Sequence, residues 1–265
     1  MLTRQLAIVK TAWARGLTYR FTVVMFRLSD VVELVAQLVI WMAVFGTRDV
    51  VSGYQQNEMI TYVIIGYTAH VMTRNFLNQA VSDDIEKGTL SQFLVKPMQY
   101  ISYIMTREVG RNGLTWTFSV ITQVIFIALF WKHILLPASF AALGIILVMM
   151  ALVVVINLFI SFLVGCIAFW TVETMGAQVF LQALRRMFAG NFFPLNFLPV
   201  GFVTASFLLP FSYSFFVPMQ LYLGKMSIQQ GLIGVGVEVV WLVILYGITK
   251  FVWSRGMRAY ESVGI

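Results

Sequence analysis

Two histidines, one cysteine and eleven carboxylates lie in a chain of 265 residues, and their spacing offers little catalytic chemistry. His70 and His133 are far apart and lack metal-ligand spacing, so no metalloenzyme is readable. Cys166 stands alone in an apolar run, which excludes a disulfide framework and a thiol metal site. An integral membrane enzyme would need a converging catalytic set, and these residues do not offer one. No Gly-x-x-x-x-Gly-Lys-[Ser/Thr] phosphate loop occurs, so the chain does not bind nucleotide by that motif. What remains is charge placed inside apolar segments: Glu33 and Gln37 beside Arg27 and Asp30, then Arg185 with Arg186, then Glu238.

The elements that position these groups are membrane helices. The chain is 60% hydrophobic and 11% charged, whereas soluble domains carry about 25% charged residues. The net charge of +7 does not read as a nucleic-acid site, because the basic residues form no single patch. The expected fold is all-α and polytopic, one domain over 1–265 with six transmembrane helices. Met1 to Arg20 lacks the apolar core of a cleavable signal peptide. Leu2, Leu6, Val9, Trp13 and Leu17 form a helical stripe opposite Arg4, Thr11 and Arg15, the pattern of an interfacial helix over 1–20.

The first span is expected from Thr22 to Gly46. Arg27, Asp30, Glu33, Gln37 and Trp41 share about one third of its circumference. A charge deep in the bilayer costs about 2.5 to 3.5 kcal/mol, so these groups should pair or face water and protein. Arg27 and Asp30 can pair at i, i+3. Glu33 and Gln37 then line a translocation path or a seam between two such chains, or else a polar helix-packing seam near the cytoplasmic interface. A second span runs from Met59 to Phe76. Gln99 to Arg107 is expected along the membrane surface, before a third span from Asn112 to Trp131. The fourth, Ser139 to Trp170, is longer than a crossing requires, so it either tilts or breaks at Gly165. Glu173 falls in the turn before a short fifth span, Thr174 to Ala189. Its Arg185 and Arg186 either snorkel to the interface or let one guanidinium face a path for an anionic group.

Gly190 to Gly224 differs from the other apolar stretches. Four of the six prolines, Pro194, Pro199, Pro210 and Pro218, are interleaved with phenylalanines. That excludes a straight helix while remaining too apolar for a solvated loop, so short re-entrant helices over 190–224 are expected, with a kinked seventh span as the alternative. The last span covers Leu232 to Trp253. Its Glu238 must be protonated, hydrogen-bonded to the re-entrant segment, or engaged with substrate or a proton. With both termini cytoplasmic, most basic residues fall inside and Arg48, Lys132 and Lys225 outside, as the positive-inside distribution requires.

Between the second and third spans, Asp83 to Pro97 is dense in charged and hydroxyl side chains up to Thr89. Leu90, Phe93 and Leu94 come next, at i, i+3 and i+4. Thr89 can cap a short helix there and Pro97 stops it. So short an amphipathic helix needs a receiving groove, on this protein or on a partner. The run Glu86-Lys87-Gly88-Thr89-Leu90, with Gln92-Phe93-Leu94-Val95 and Pro97, resembles the cytoplasmic coupling segment of bacterial ABC type-2 exporter permeases. Phe93 stands where that family more often has Leu. Gly190, Pro194, Leu198 and Pro199 resemble the family's signature after its fifth helix.

The resemblance implies a permease subunit with a coupling segment over 82–98, contacting an ATP-binding subunit through Glu86, Gly88, Thr89, Leu90, Phe93, Leu94 and Pro97. It also implies an outer gate at Gly190, Pro194 and Pro199. ATP and Mg would be bound by two copies of that partner and no cofactor by this chain. A second permease, identical or related, would complete the complex in a bacterial inner membrane. The compact size looks most like the viologen and drug exporter branch. Glu33, Gln37, Arg185, Arg186 and Glu238 are the path candidates, for an amphiphilic or hydrophobic substrate. The competing reading is an ion-coupled secondary transporter using Glu33 and Glu238, although no inverted repeat is evident.

Overall fold

The computed structural model describes residues 2–18, 20–94, 99–171 and 174–264. The chain is helical almost throughout: α1 (Leu2–Thr18), α2 (Arg20–Phe45), α3 (Gln56–Thr73), α4 (Leu77–Glu86), α5 (Ser91–Leu94), α6 (Tyr100–Leu129), α7 (Phe140–Gly165), α8 (Met175–Ala189), α9 (Val200–Leu208), α10 (Phe216–Tyr222) and α11 (Ile228–Gly264). A two-residue hairpin, β1 (Val50–Val51) with β2 (Tyr54–Gln55), joins α2 to α3.

Four helices are long and apolar enough to cross a membrane, over Arg27–Phe45, Tyr100–Leu129, Phe140–Phe169 and Ile228–Tyr260. Val32 and Val39 on α2, Val124 and Leu129 on α6, and Val243 and Phe251 on α11 are exposed. An apolar outer surface on self-satisfied helices is what lipid requires, so the protein is an all-α, multi-pass membrane protein. Helices α3 and α8 are shorter, with 18 and 15 residues.

One expectation changes. Gln99 to Arg107 forms no separate surface segment; α6 is continuous from Tyr100, about 45 Å long at 1.5 Å per residue. Gly110 and Gly113 do not break it, because α1 packs on them. A Cβ at Gly110 would lie 2.8 Å from Val9 Cα, and one at Gly113 2.8 Å from the Trp13 ring. The chain after the second span, for which the sequence sets no expectation, is helical. Helix α4 packs on α7 so closely that a Cβ at Gly165 would lie 2.7 Å from the Asn78 carbonyl oxygen and 2.6 Å from Val81 Cβ. There α7 gives way to a 3-10 turn, Cys166–Phe169, the break anticipated at Gly165. Glu173 and Pro97 lie outside the described residues.

The bundle has two distinct ends. At one, Leu77, Val81, Ile85, Leu90, Tyr100, Ile104, Phe162 and Cys166 form a buried cluster, with Trp253, Met257 and Tyr260 of α11 packed against it. At the other, the hairpin meets the start of α11, where Lys225 pairs with Glu58 at 2.9 Å and its Nζ donates to the Gly53 carbonyl. The 190–224 segment sits at this hairpin end, broken into 3-10 turns and the nine- and seven-residue helices α9 and α10. At about 14 Å or less, neither can cross a bilayer.

Candidate functional site

At the buried-cluster end, α4 stops where Gly88 adopts φ +70° and the chain reverses. Asp84 organises this reversal. Its carboxylate accepts from the Thr89 hydroxyl at 2.9 Å and from the Tyr100 hydroxyl at 2.8 Å, and its carbonyl accepts from Leu90 N–H at 2.8 Å. Thr89 therefore does not cap a following helix with its side chain; its hydroxyl points back to α4. The four-residue helix α5 is entered through tight i+3 bonds, the Gly88, Thr89 and Leu90 carbonyls accepting from Ser91, Gln92 and Phe93.

The apolar face is received by the protein itself. Leu90 is fully buried, and Phe93 packs against Tyr100 and Tyr103 with ring centroids 5.6 and 4.8 Å away. What the turn presents outward is Glu86, Lys87, Gly88, Ser91 and Gln92. Sequence reasoning does not single out Asp84, one of two adjacent aspartates with no periodic signal.

The α3–α4 elbow at 74–76 is also built from charge. Arg27 and Asp30 form the expected pair at 2.7 Å, and Arg74 reaches across to the same carboxylate. Glu108 accepts from Phe76 N–H at 2.9 Å and pairs with Arg111 at 2.5 Å, while Arg74 and Arg111 both lie over the Phe76 ring. Two helices, α2 and α6, thus hold one short non-helical link.

Further along, Glu33 and Gln37 line a narrow space of about 20 Å³ with Tyr67, His70 and Asn191. The Asn191 amide lies 2.8 Å from His70 Nδ1. His70 and Asn191 also border a larger cavity of about 110 Å³ containing Arg185, Arg186 and Arg74. Arg185 does not snorkel: it donates to the Ser161 hydroxyl at 3.0 Å and the Asn157 carbonyl at 3.4 Å, while Arg186 lies over the Phe192 ring. The structure therefore brings Glu33, Gln37, Arg185 and Arg186 into one polar region. Glu238 is not part of it. Its side chain is fully buried on α11, and neither carboxylate oxygen has a hydrogen-bond partner, so the expected bond to the 190–224 segment does not form. The His70–Asn191 contact spans 121 positions, a separation at which local spacing carries no information.

At the hairpin end, Gly190 closes α8 with φ +78°, and its carbonyl accepts from the Tyr62 hydroxyl at 2.6 Å. Pro194 and Pro199 immediately precede a 3-10 turn and α9, positions where a missing N–H does no harm. Trp41 donates to the Phe192 carbonyl at 3.2 Å, and Tyr54 stacks on Phe197 and accepts from Gln220 at 2.5 Å.

The model of a family described as ABC-2 family transporter protein matches residues 31–264. The chain belongs to this family. It is thus an ABC-2 permease, the membrane subunit of an ABC transporter, a family in which the permease typically pairs with an ATP-binding subunit. The match spans the 84–93 turn, the polar region and the 190–224 segment alike, and gives the ion-coupled alternative no support. No curated protein matches the chain.

Proposed function

We propose that this permease exports an amphiphilic or hydrophobic substrate, driven by ATP hydrolysis in two separate ATP-binding subunits that hold the ATP and Mg. The family carries the permease assignment. The exposed Glu86–Lys87–Gly88 turn, with Ser91 and Gln92 beside it, carries the coupling role. It is a rigid, water-facing knob whose shape is fixed from behind by Asp84, Leu90 and Phe93. Force applied to such a knob passes to α4 and, through the Arg74–Phe76 elbow, to α3 and α2.

In this reading α2, α3, α6, α7, α8 and α11 are six crossings of a bacterial inner membrane. Both termini and the turn are cytoplasmic; the 190–224 segment is an outer re-entrant gate pivoting at Gly190, Pro194 and Pro199. Glu33, Gln37, Arg185 and Arg186 belong to the path. A second permease, identical or related, pairs with this one, as in the viologen and drug exporter branch that its compact size suggests.

The test is purification of the tagged chain from its native host, with mass spectrometry of what accompanies it. Wild type should bring down an ATP-binding subunit, and Glu86→Lys combined with Lys87→Glu should lose it while melting normally. Absence of any ATPase under conditions that preserve other complexes would end the exporter reading. An active periplasmic reporter fused after Ile265 would reverse the orientation.

A further inference from the structure

The cavity beside α8 has an unusual balance of charge. Arg74, Arg185 and Arg186 line it with His70, Gln182 and Asn191, and no carboxylate lines it among the described residues. The acidic groups stand behind the lining instead: Asp30 and Glu33 border the adjoining narrow space, and Glu108 accepts from Phe76 N–H while paired with Arg111. Asp30 is already shared between Arg27 and Arg74. Arg185 has only neutral partners, the Ser161 hydroxyl and the Asn157 carbonyl, and its Nε is buried without one. A guanidinium out of water without a counter-charge is costly to keep, and such groups inside membrane proteins mark places where a charge is handled. The volume of about 110 Å³ exceeds that of a few waters at about 30 Å³ each, room enough for a compact polar group.

We propose that this cavity binds the oxyanion headgroup of an amphiphile, a phosphate-like group held by the Arg185 fork with Arg186 and Arg74 completing the charge. Planar guanidinium groups match such oxygens two at a time, and amides from Asn191 and Gln182 supply neutral donors at the rim. The inference rests on the reading of this chain as an amphiphile exporter and adds the sign of the cargo: anionic rather than cationic.

The test titrates the full chain in maltoside micelles with dodecyl phosphate, dodecyltrimethylammonium and inorganic phosphate, and counts bound adducts by native mass spectrometry. Dodecyl phosphate should bind saturably. Arg185→Gln should weaken it about tenfold, the worth of a hydrogen bond to a charged group. Arg186→Gln should weaken it less, and Arg255→Gln on α11 not at all. Arg186 is exposed, so its variant decides the matter if Arg185→Gln fails to fold. Displacement by millimolar inorganic phosphate would support the site with a free oxyanion as its ligand; resistance to displacement would support the amphiphile. Equal binding of dodecyltrimethylammonium, or wild-type binding of dodecyl phosphate by both Gln variants, would overturn the proposal. No ATPase is needed for this binding. Failure here with the ATPase still co-purifying therefore removes the anionic cargo alone, and the reverse pattern removes the exporter reading alone.

Discussion

The hydrogen bonds that shape the turn after α4 and those that clamp the hairpin end differ in range. At the coupling turn, the bonds to Asp84 come from Thr89, Leu90 and Tyr100, the farthest only 16 positions away. At the hairpin end, the clamps are Tyr62 to Gly190, Trp41 to Phe192 and Gln220 to Tyr54, spanning 128, 151 and 166 positions. Short-range bonds travel with the element that carries them and survive its displacement as a body. Long-range ones must break if the 190–224 segment moves relative to α2 and α3. One end is therefore built like a stiff handle and the other like a detachable cover, the division of labour that the proposed coupling turn and outer gate would need.

The sharpest way to break the comparison is Leu90→Asp. If the handle is internally braced, this change places a carboxyl in the buried cluster of Ile85, Tyr100 and Phe162, at a cost of about 3 kcal/mol or more. Expression and the melting temperature in detergent should both fall. A variant that melts like wild type and merely loses its ATP-binding partner would mean that Leu90 docks outward.

Next come two glycines, one at each end. Gly165→Ala drives a methyl against the Asn78 backbone carbonyl of α4, which cannot swing aside, so about 1–3 kcal/mol of overpacking is expected. Gly66→Ala meets the Phe215 ring, its Cβ 2.3 Å from the ring's far end. A side chain on a detachable cover can shift with its segment. The expected cost is smaller, and cysteine labelling in the 190–224 segment should rise. Equal destabilisation with no change in labelling would place the cover as firmly as the handle.

Smaller again is Tyr62→Phe, which leaves the Gly190 carbonyl without its donor and should cost about 1–2 kcal/mol. Opening of the cover, followed by labelling near Asn191, should become faster while the Glu86–Gly88 turn keeps its protection in hydrogen exchange. Loss of protection at both ends together would show that they form one cooperative unit.

The same contrast explains what could be read in the sequence. The α7 break at Gly165, the Arg27–Asp30 pair and the broken 190–224 segment rest on local rules: span length, i+3 charge spacing, proline density. What could not be read were pairings made by folding. Nothing near His70 points to Asn191, nothing near Tyr62 points to Gly190, and Arg185 has the local pattern of an interfacial anchor until α7 presents Ser161 to it. Helix α4 escapes a sequence reading because its apolar positions, Leu77, Val81 and Ile85, face a groove on α7 that exists only in the assembled bundle. The direction of Leu90 is open in the sequence for the same reason.

The smallest effect concerns Tyr54, which lies in the hairpin outside the spans. Burial pushes its phenol from 10.0 up to about 12, although the bond from Gln220 works the other way by favouring the ionised oxygen. The sign comes from linkage. A folded-state value above the unfolded one means that the neutral phenol is the form the fold prefers. Its contribution is fully present below about pH 10 and is lost as the pH rises towards about 12. Near neutrality Tyr54 should thus contribute no pH dependence to stability. The stability advantage of wild type over Tyr54→Phe, measured by melting at a series of pH values, should stay constant up to about pH 10 and shrink above it. An advantage already declining at about pH 8, well below the range that burial sets, would mean that water reaches the phenol and that the cover is open in the resting protein.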